Sequence, residues 1–332
     1  MSSGNGNART PSEISREVVG FRFGPSVEYP APRPRRRPIV LPLVLFLLTV
    51  LSTLSVGAEF ARSYARGDEP FSSDENPFVT MVQPFYHPAL LRLGIPFSFT
   101  LLTILLAHEL GHYFACRIHG IEATYPYFLP APTLFGTFGA FIRIRSPIPT
   151  RRALFDVGLS GPVVGFVFAF PALLFAVANS KFLPPEAWDP NALHFGNPPL
   201  VHLLVALLHP HANPQQLLLH PVGRAAWVGL LVTALNLLPA WQLDGGHILY
   251  SLNSAHHRRI SLFVGLTVLA MGWFAWYGWY LWGGLILAFS WFFRHPPLLD
   301  RWQPLDPARR LWAIGGLIIF ILSFTPWPTV NP

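Results

Sequence analysis

The sequence predicts an all-α polytopic membrane protein of about six to seven transmembrane helices, with a small membrane-interface β-hairpin. Three observations carry this expectation. Hydrophobic residues make up 52% of the 332 residues and charged ones only 12%, with a mean hydropathy of +0.40, too apolar for a solvated globule. The apolar residues gather into runs at 39–58, 94–116, 154–178, 222–239, 260–276, 279–293 and 311–325. The arginines fall beside alternate runs, as the positive-inside rule requires.

Residues 1–38 are rich in Pro, Ser and Arg, end in "RPRRRP" and carry no sustained apolar period, which predicts a disordered cytosolic tail. The next segment, 39–93, holds a first span and an outer loop. A cleavable signal peptide is the competing reading of 39–58, but both the charged leader and the apolar run are too long for one. Residues 94–259 form the central membrane region, and 260–332 a C-terminal hairpin and final helix. Several late runs are shorter than the roughly 20 residues that cross a bilayer untilted, so a re-entrant hairpin is possible there.

Orientation follows from charge. Arg33, Arg35, Arg36 and Arg37 precede the first span. Arg143, Arg145, Arg151 and Arg152 separate the second from the third; Arg258 and Arg259 the fourth from the fifth; Arg294, Arg301, Arg309 and Arg310 the sixth from the seventh. These segments are expected on the cytosolic side. The acidic loop at 59–93 and the nearly cation-free loop at 179–221 are expected outside. The net charge of +7 is thereby absorbed into topology, and nucleic-acid binding is not expected. The single cysteine, Cys116, excludes an intrachain disulfide.

Within the second run stands "LLAHELGHYFACRIHG", residues 105–120. His108 and His112 are four residues apart, so a helix projects both imidazoles from one face with β-carbons about 5–6 Å apart, a spacing at which both can reach one zinc ion. Glu109 lies about 100° round the helix, beside such an ion, in the position of a general base. Ionisable groups in a span cost about 2.5–3.5 kcal/mol each when charged, which argues against three incidental polar residues. The third ligand has several candidates by position. His119 sits about 16 Å further along the helix, Cys116 one turn beyond His112, and Glu122 further still. A better one lies in "NLLPAWQLDGGHI", 236–248, where Pro239 ends a helix and Gly245–Gly246 free the backbone around Asp244. Unwound backbone at membrane depth needs a polar surrounding, so Asp244 is expected to face a polar site.

Taken together, H-E-x-x-H at 108–112 and N-x-x-P-x-x-x-L-D-G from Asn236 to Gly245 resemble the paired motifs of the site-2 proteases, intramembrane zinc metalloproteases. Residues 127–165 look particularly like the plastid and cyanobacterial branch. The resemblance implies one catalytic Zn²⁺ held by His108, His112 and Asp244, with Glu109 as general base and Asn236 holding the scissile segment or developing charge. It implies hydrolysis of a peptide bond within or near a transmembrane helix of a protein substrate.

Peptide hydrolysis needs an extended substrate. At 135–146, Phe138, Ala140, Ile142 and Ile144 alternate with Gly139, Phe141, Arg143 and Arg145, a period of two that suggests a β-hairpin in the cytosolic interface. Its edge could add an unwinding substrate strand, which makes Gly139 and Phe141 candidate substrate contacts; a structural interfacial loop is the alternative. Gly158, Gly161 and Gly165 suit close packing of the third span on the second. His194, His202, His209, His211 and His220 are expected to be solvated or interfacial, and Trp273, Trp276, Trp279, Tyr280 and Trp282 to form an interfacial belt. Competing functions are a zinc-binding transporter, a proteolytically silent scaffold, and a prenyl-protein-type membrane peptidase, which would use a downstream glutamate. The expected location is the bacterial cytoplasmic membrane, with the N-terminus and the site toward the cytosol.

Overall fold

A computed structural model describes residues 39–71, 77–184, 192–296, 298–300 and 304–330. The expected N-terminal tail lies outside them. The described elements are helices α1 (Val40–Arg66), α2 (Pro77–Tyr86), α3 (Pro88–Leu91), α4 (Ile95–Ile118), α5 (Arg151–Ala178), α6 (Pro199–Leu208), α7 (Pro221–Asn236), α8 (Asp244–Leu252), α9 (His257–Phe274), α10 (Gly278–Phe292) and α11 (Pro307–Ser323). Three antiparallel strand pairs accompany them: β1 (Tyr127–Pro130) with β2 (Thr137–Phe141), β3 (Lys181–Phe182) with β5 (Leu217–Leu218), and β4 (His194–Phe195) with β6 (Thr329–Val330). The last two pairs were not anticipated.

Among the described residues, three helical runs are long and apolar enough to cross a membrane: α1, the stretch Pro88–Ile118 that contains α4, and α5. The others are shorter. At 16 residues α7 is about 24 Å long, less than the ~30 Å hydrocarbon core, and α10 has only 15 residues. The mostly helical membrane architecture therefore stands, while the count of six to seven spans exceeds the three that length and hydropathy alone support.

Local chemistry sets the helix limits. Gly67, at φ 84°, closes α1 with its N–H on the Ser63 carbonyl, and Thr150 caps α5 by accepting the Ala153 N–H at 3.1 Å. His220 does the same for α7, its Nδ1 accepting the Val222 N–H at 3.2 Å. α1 is tied to α4 by a 2.7 Å hydrogen bond between Thr53 Oγ1 and Ser98 Oγ, and to the β1–β2 turn by Ser52 Oγ donating to the Gly136 carbonyl at 2.6 Å. Around these ties the main core brings together Phe60, Phe97, Leu101, Phe195 and Trp227, whose Nε1 donates to the Gly196 carbonyl at 2.7 Å. A second core lies between α9 and α10 around Trp279.

That second core corrects the aromatic-belt reading at one position. Trp273 is exposed, but Trp279 is fully buried and donates its Nε1 to the Pro326 carbonyl at 2.7 Å. A tryptophan with a buried acceptor packs as core. Nor do the outer histidines form one solvated group: His220 is a helix cap, His194 is buried in β4, and His209 meets the Val177 carbonyl at 3.1 Å.

The interface hairpin exists with its arms shifted. Residues 135–146 supply one arm only; the other is 127–130, with the turn closed by Gly136 N–H on the Thr133 carbonyl. Alternation holds from Phe141 onward, where Phe141, Arg143 and Arg145 are exposed and Ile142 and Ile144 partly covered. Upstream the phase slips: Gly139 takes φ 101°, and Phe138 faces outward with 72% exposure instead of sharing the Ile142 face.

Candidate metal centre

The fold brings the two distant motifs together. His108 Nε2 lies 3.2 Å and His112 Nε2 3.3 Å from Asp244 Oδ2, and the two imidazole centroids are 4.8 Å apart. Ligand atoms of His108, Glu109 and His112 all fall within 4.8 Å of one another, and all three residues are buried. Asn236 Nδ2 stands 3.5 Å from His108 Nε2.

The helices arrive at this separation because glycines line the facing surface. A Cβ on Gly161 would run into the His112 ring, and one on Gly165 would sit 3.0 Å from His108 Nδ1. The glycine row thus accommodates the imidazoles themselves, beyond the helix packing that its spacing suggested. On the other side, Pro239 follows the end of α7, Trp241 turns at φ 49°, and α8 starts at Asp244. Any side chain at Gly245 or Gly246 would strike the carbonyls of Leu237 to Trp241, so this reversal tolerates only glycine.

The donor set fits a cation. His112 Nδ1 is 2.6 Å from the Val157 carbonyl, which can only accept; Nδ1 therefore carries a proton, and Nε2 is the ring atom turned to Asp244. With both rings neutral and their protons on Nδ1, the two Nε2 lone pairs and the Asp244 carboxylate would face a common point suited to a cation. Tetrahedral ligands at about 2.0–2.1 Å from zinc stand about 3.3 Å apart, close to the 3.2 and 3.3 Å seen here. Two imidazoles and a carboxylate are a usual zinc donor set.

Glu109 is held separately. Its carboxylate lies near the backbone N–H of Ile142. The strand geometry explains this contact. Thr124 N–H donates to the Arg143 carbonyl and Arg145 N–H to the Glu122 carbonyl, so odd-numbered residues of this arm pair with the 122–130 arm. Ile142 and Ile144 then point their backbone groups to the opposite, open edge, and that edge faces Glu109. Gly139 is buried within β2, and Phe141 stacks on Tyr127 at 5.5 Å. Phe141 also lines a cavity of about 670 Å³ with Ile142, Ile144, Gln242, His247 and His295.

His247 and His295 were not singled out by the sequence. Their rings meet at 2.9 Å, Nδ1 to Nε2, and burial pushes the His295 imidazole down to about 3, so it is neutral at neutral pH. Only the i+3 spacing of His247 from Asp244 hinted at it. The other third-ligand candidates are accounted for elsewhere: His119 is bound to Asp156 at 2.8 Å, Cys116 is core, and Glu122 is exposed.

Fold and site together define a helical membrane protein with a buried histidine–carboxylate centre. The chain belongs to Peptidase family M50, whose model matches residues 96–275. It is similar to "Probable zinc metalloprotease EGY1, chloroplastic" of Oryza sativa subsp. japonica, 29% identical over 303 residues, covering 86% of this chain and 50% of that protein. The Arabidopsis thaliana protein of the same name is 34% identical over 218 residues, 62% of this chain and 38% of that protein. "Probable zinc metalloprotease EGY2, chloroplastic" of Oryza sativa subsp. indica is 33% identical over 195 residues, 56% and 34% of the two chains. These relatives are the plastid branch of the site-2 protease family, as the motifs suggested. The chain spans about half or less of the length of these curated relatives. They are named chloroplastic, and a bacterial cytoplasmic membrane finds no support among them. No solved structure gives a significant match.

Proposed function

We propose that this protein is an intramembrane zinc endopeptidase that hydrolyses a peptide bond within or near a transmembrane helix of a membrane-protein substrate. The observation that carries this reading is the meeting of His108, His112 and Asp244 at 3.2–3.3 Å, with Glu109 beside them and an open strand edge aimed at it. His108, His112 and Asp244 would hold one zinc ion. When bound, zinc supplies Lewis-acid polarisation of the scissile carbonyl and makes water more acidic.

The protein's own groups do the rest. The Glu109 carboxylate takes a proton from the attacking water and returns it to the leaving amine nitrogen. Asn236 Nδ2 donates to the carbonyl oxygen as charge develops there. A substrate strand adds to the open edge at Ile142 and Ile144, beside Gly139 and Phe141. Pairing would bring the extended substrate strand beside Glu109. This arrangement favours an extended, unwound substrate over a helical one.

Within this reading, residues 94–259 form the catalytic region, and α7, α9, α10 and α11 supply the shorter membrane segments that bring the span count to six or seven. The arginine-bearing ends, including Arg143, Arg145 and Arg152, face the cytosol or its equivalent, and the site opens to water from that side. The Asp244 carboxylate favours this class over a prenyl-protein peptidase, and the glutamate beside paired histidines favours it over a transporter.

The test is cleavage of transmembrane-helix substrates in bilayers by the purified protein. Chelator-sensitive cleavage that is lost in Glu109→Gln, with zinc retained, is the expected result. Zinc binding without cleavage across a broad substrate panel would instead support a silent scaffold.

A further inference from the structure

Beside the reversal that leads into Asp244 lies a cavity that peptide hydrolysis does not use. It measures about 240 Å³ and sits between the end of α8, the start of α9 and the end of α10, with Tyr250, Ser254, Arg258, Ser261, Ser290 and Arg294 among its lining. That is roughly eight times the ~30 Å³ share of one water, and below the ~300–1,000 Å³ of drug-sized pockets. Its size suits a small polar group and not a peptide.

The lining is rich in donors and contains no carboxylate. Among the described residues, Arg258 gives one 3.4 Å hydrogen bond to the Trp291 carbonyl and lies 5.3 Å over that ring, and Arg294 has no partner. By contrast, Arg66, Arg152, Arg224 and Arg309 each face a carboxylate. A further cation reaches the same wall from α5: Arg151 Nη2 is 3.3 Å from Ser254 Oγ, and its Nε is buried without a partner. Two of the hydroxyls act only as acceptors, Ser254 from Arg151 and Ser261 from the Trp241 N–H at 3.1 Å, so their own hydrogens are unspent. Ser290 is 4% exposed and its Oγ has no partner; the indole Nε1 of Trp241 is likewise buried and unpaired. Donors left unmet at buried positions are costly, and an acceptor-rich anion answers such a surplus.

We propose that this cavity binds one phosphate group, held by the Arg258 and Arg294 guanidiniums with lining hydroxyls donating to the remaining oxygens. A guanidinium fork matches paired phosphate oxygens, and hydrogen bonds between the two are charge-assisted. The helix ends that enclose the cavity carry the arginines of one membrane face, so a lipid headgroup and a phosphate from solution both have access to it. The occupant ties α8 to α9 and α10. The same lining already holds the reversal before Asp244: Ser261 takes the Trp241 N–H, and His257 Nε2 donates to the Trp241 carbonyl at 3.1 Å. Filling the cavity therefore steadies the turn that delivers Asp244.

The experiment has two arms. The full chain in phosphatidylcholine nanodiscs is titrated with inorganic phosphate by equilibrium dialysis, and in parallel it is released for native mass spectrometry from nanodiscs of equimolar phosphatidic acid and phosphatidylcholine. Saturable binding of one phosphate marks a soluble ligand; retention of one phosphatidic acid, in roughly tenfold preference over phosphatidylcholine, marks a lipid headgroup, and either supports the site. The Arg258→Gln/Arg294→Gln double variant, altered only at exposed positions, should weaken that binding by roughly tenfold or more. Arg259→Gln/Arg310→Gln removes two exposed arginines outside the cavity and should leave it unchanged, which separates a built site from general attraction to a basic face. Zinc content and thermal unfolding check that both variants fold. Failure of the unmodified protein to bind in either arm would overturn the proposal. So would undiminished binding in the first variant, or an equal loss in both.

Discussion

The metal centre and the core around Trp227 are both buried but built on different principles. In the Trp227 core, polar groups are paired for architecture: Arg224 donates to Glu69 at 2.7 Å with both side chains buried, and its guanidinium lies 4.6 Å over the Phe195 ring. In the centre, the His108 and His112 Nε2 atoms both come to within 3.3 Å of one Asp244 oxygen, with His112 held from behind by the Val157 carbonyl. The first region is satisfied without any addition; the second is complete only with a cation. The contrast teaches that burial alone does not mark a site. What marks it is convergent acceptors with their donors turned outward.

The comparison can be broken or sharpened by substitution. The largest expected effect is at Glu109. Glu109→Gln should lower turnover by roughly 10²–10⁴-fold while zinc content and unfolding temperature stay near those of the unmodified protein, since it removes a proton acceptor and keeps the shape. Elemental analysis alongside the cleavage assay checks this.

Next is the Arg224–Glu69 ion pair. Glu69→Ala strands a buried guanidinium and should cost about 3–5 kcal/mol, read as a fall in unfolding temperature in fixed lipid, with the folded fraction still active. Replacing both partners, Glu69→Met with Arg224→Met, should recover most of that loss. Failure of the double variant to recover would mean that the pair has a role beyond architecture.

A methyl group at Gly161 should act in the opposite sense. Gly161→Ala pushes into the His112 ring and should cost about 1–3 kcal/mol of stability, yet reduce zinc occupancy and activity far more than that loss explains. The smallest effect is expected at Trp227→Phe, where loss of the hydrogen bond to the Gly196 carbonyl should cost about 1 kcal/mol without affecting zinc.

How much was legible beforehand follows the same division. His108, Glu109 and His112 declare themselves because helical spacing is local, and Asn236 to Gly245 because Pro and paired Gly break a span at a polar residue. The glycine row in α5 was visible for the same reason, although its contact with the imidazole rings was not. The backbone partner could not be seen: the Val157 carbonyl on His112 carries no side-chain signature. Likewise Trp279 resembles its belt neighbours in sequence, and only the return of the chain to Pro326 buries it. The phase slip at Phe138 arises from Gly139, whose φ of 101° a pattern of alternation does not encode.

The most direct test of the central claim is the zinc content of the purified protein and its Asp244→Ala, His119→Gln and Glu109→Gln variants, each checked for folding by thermal unfolding. The account predicts stoichiometric zinc in the unmodified protein, loss of it in folded Asp244→Ala, and retention in His119→Gln and Glu109→Gln. Retention of zinc by Asp244→Ala together with its loss in either of the other two would contradict the ligand set on which the proposed chemistry rests.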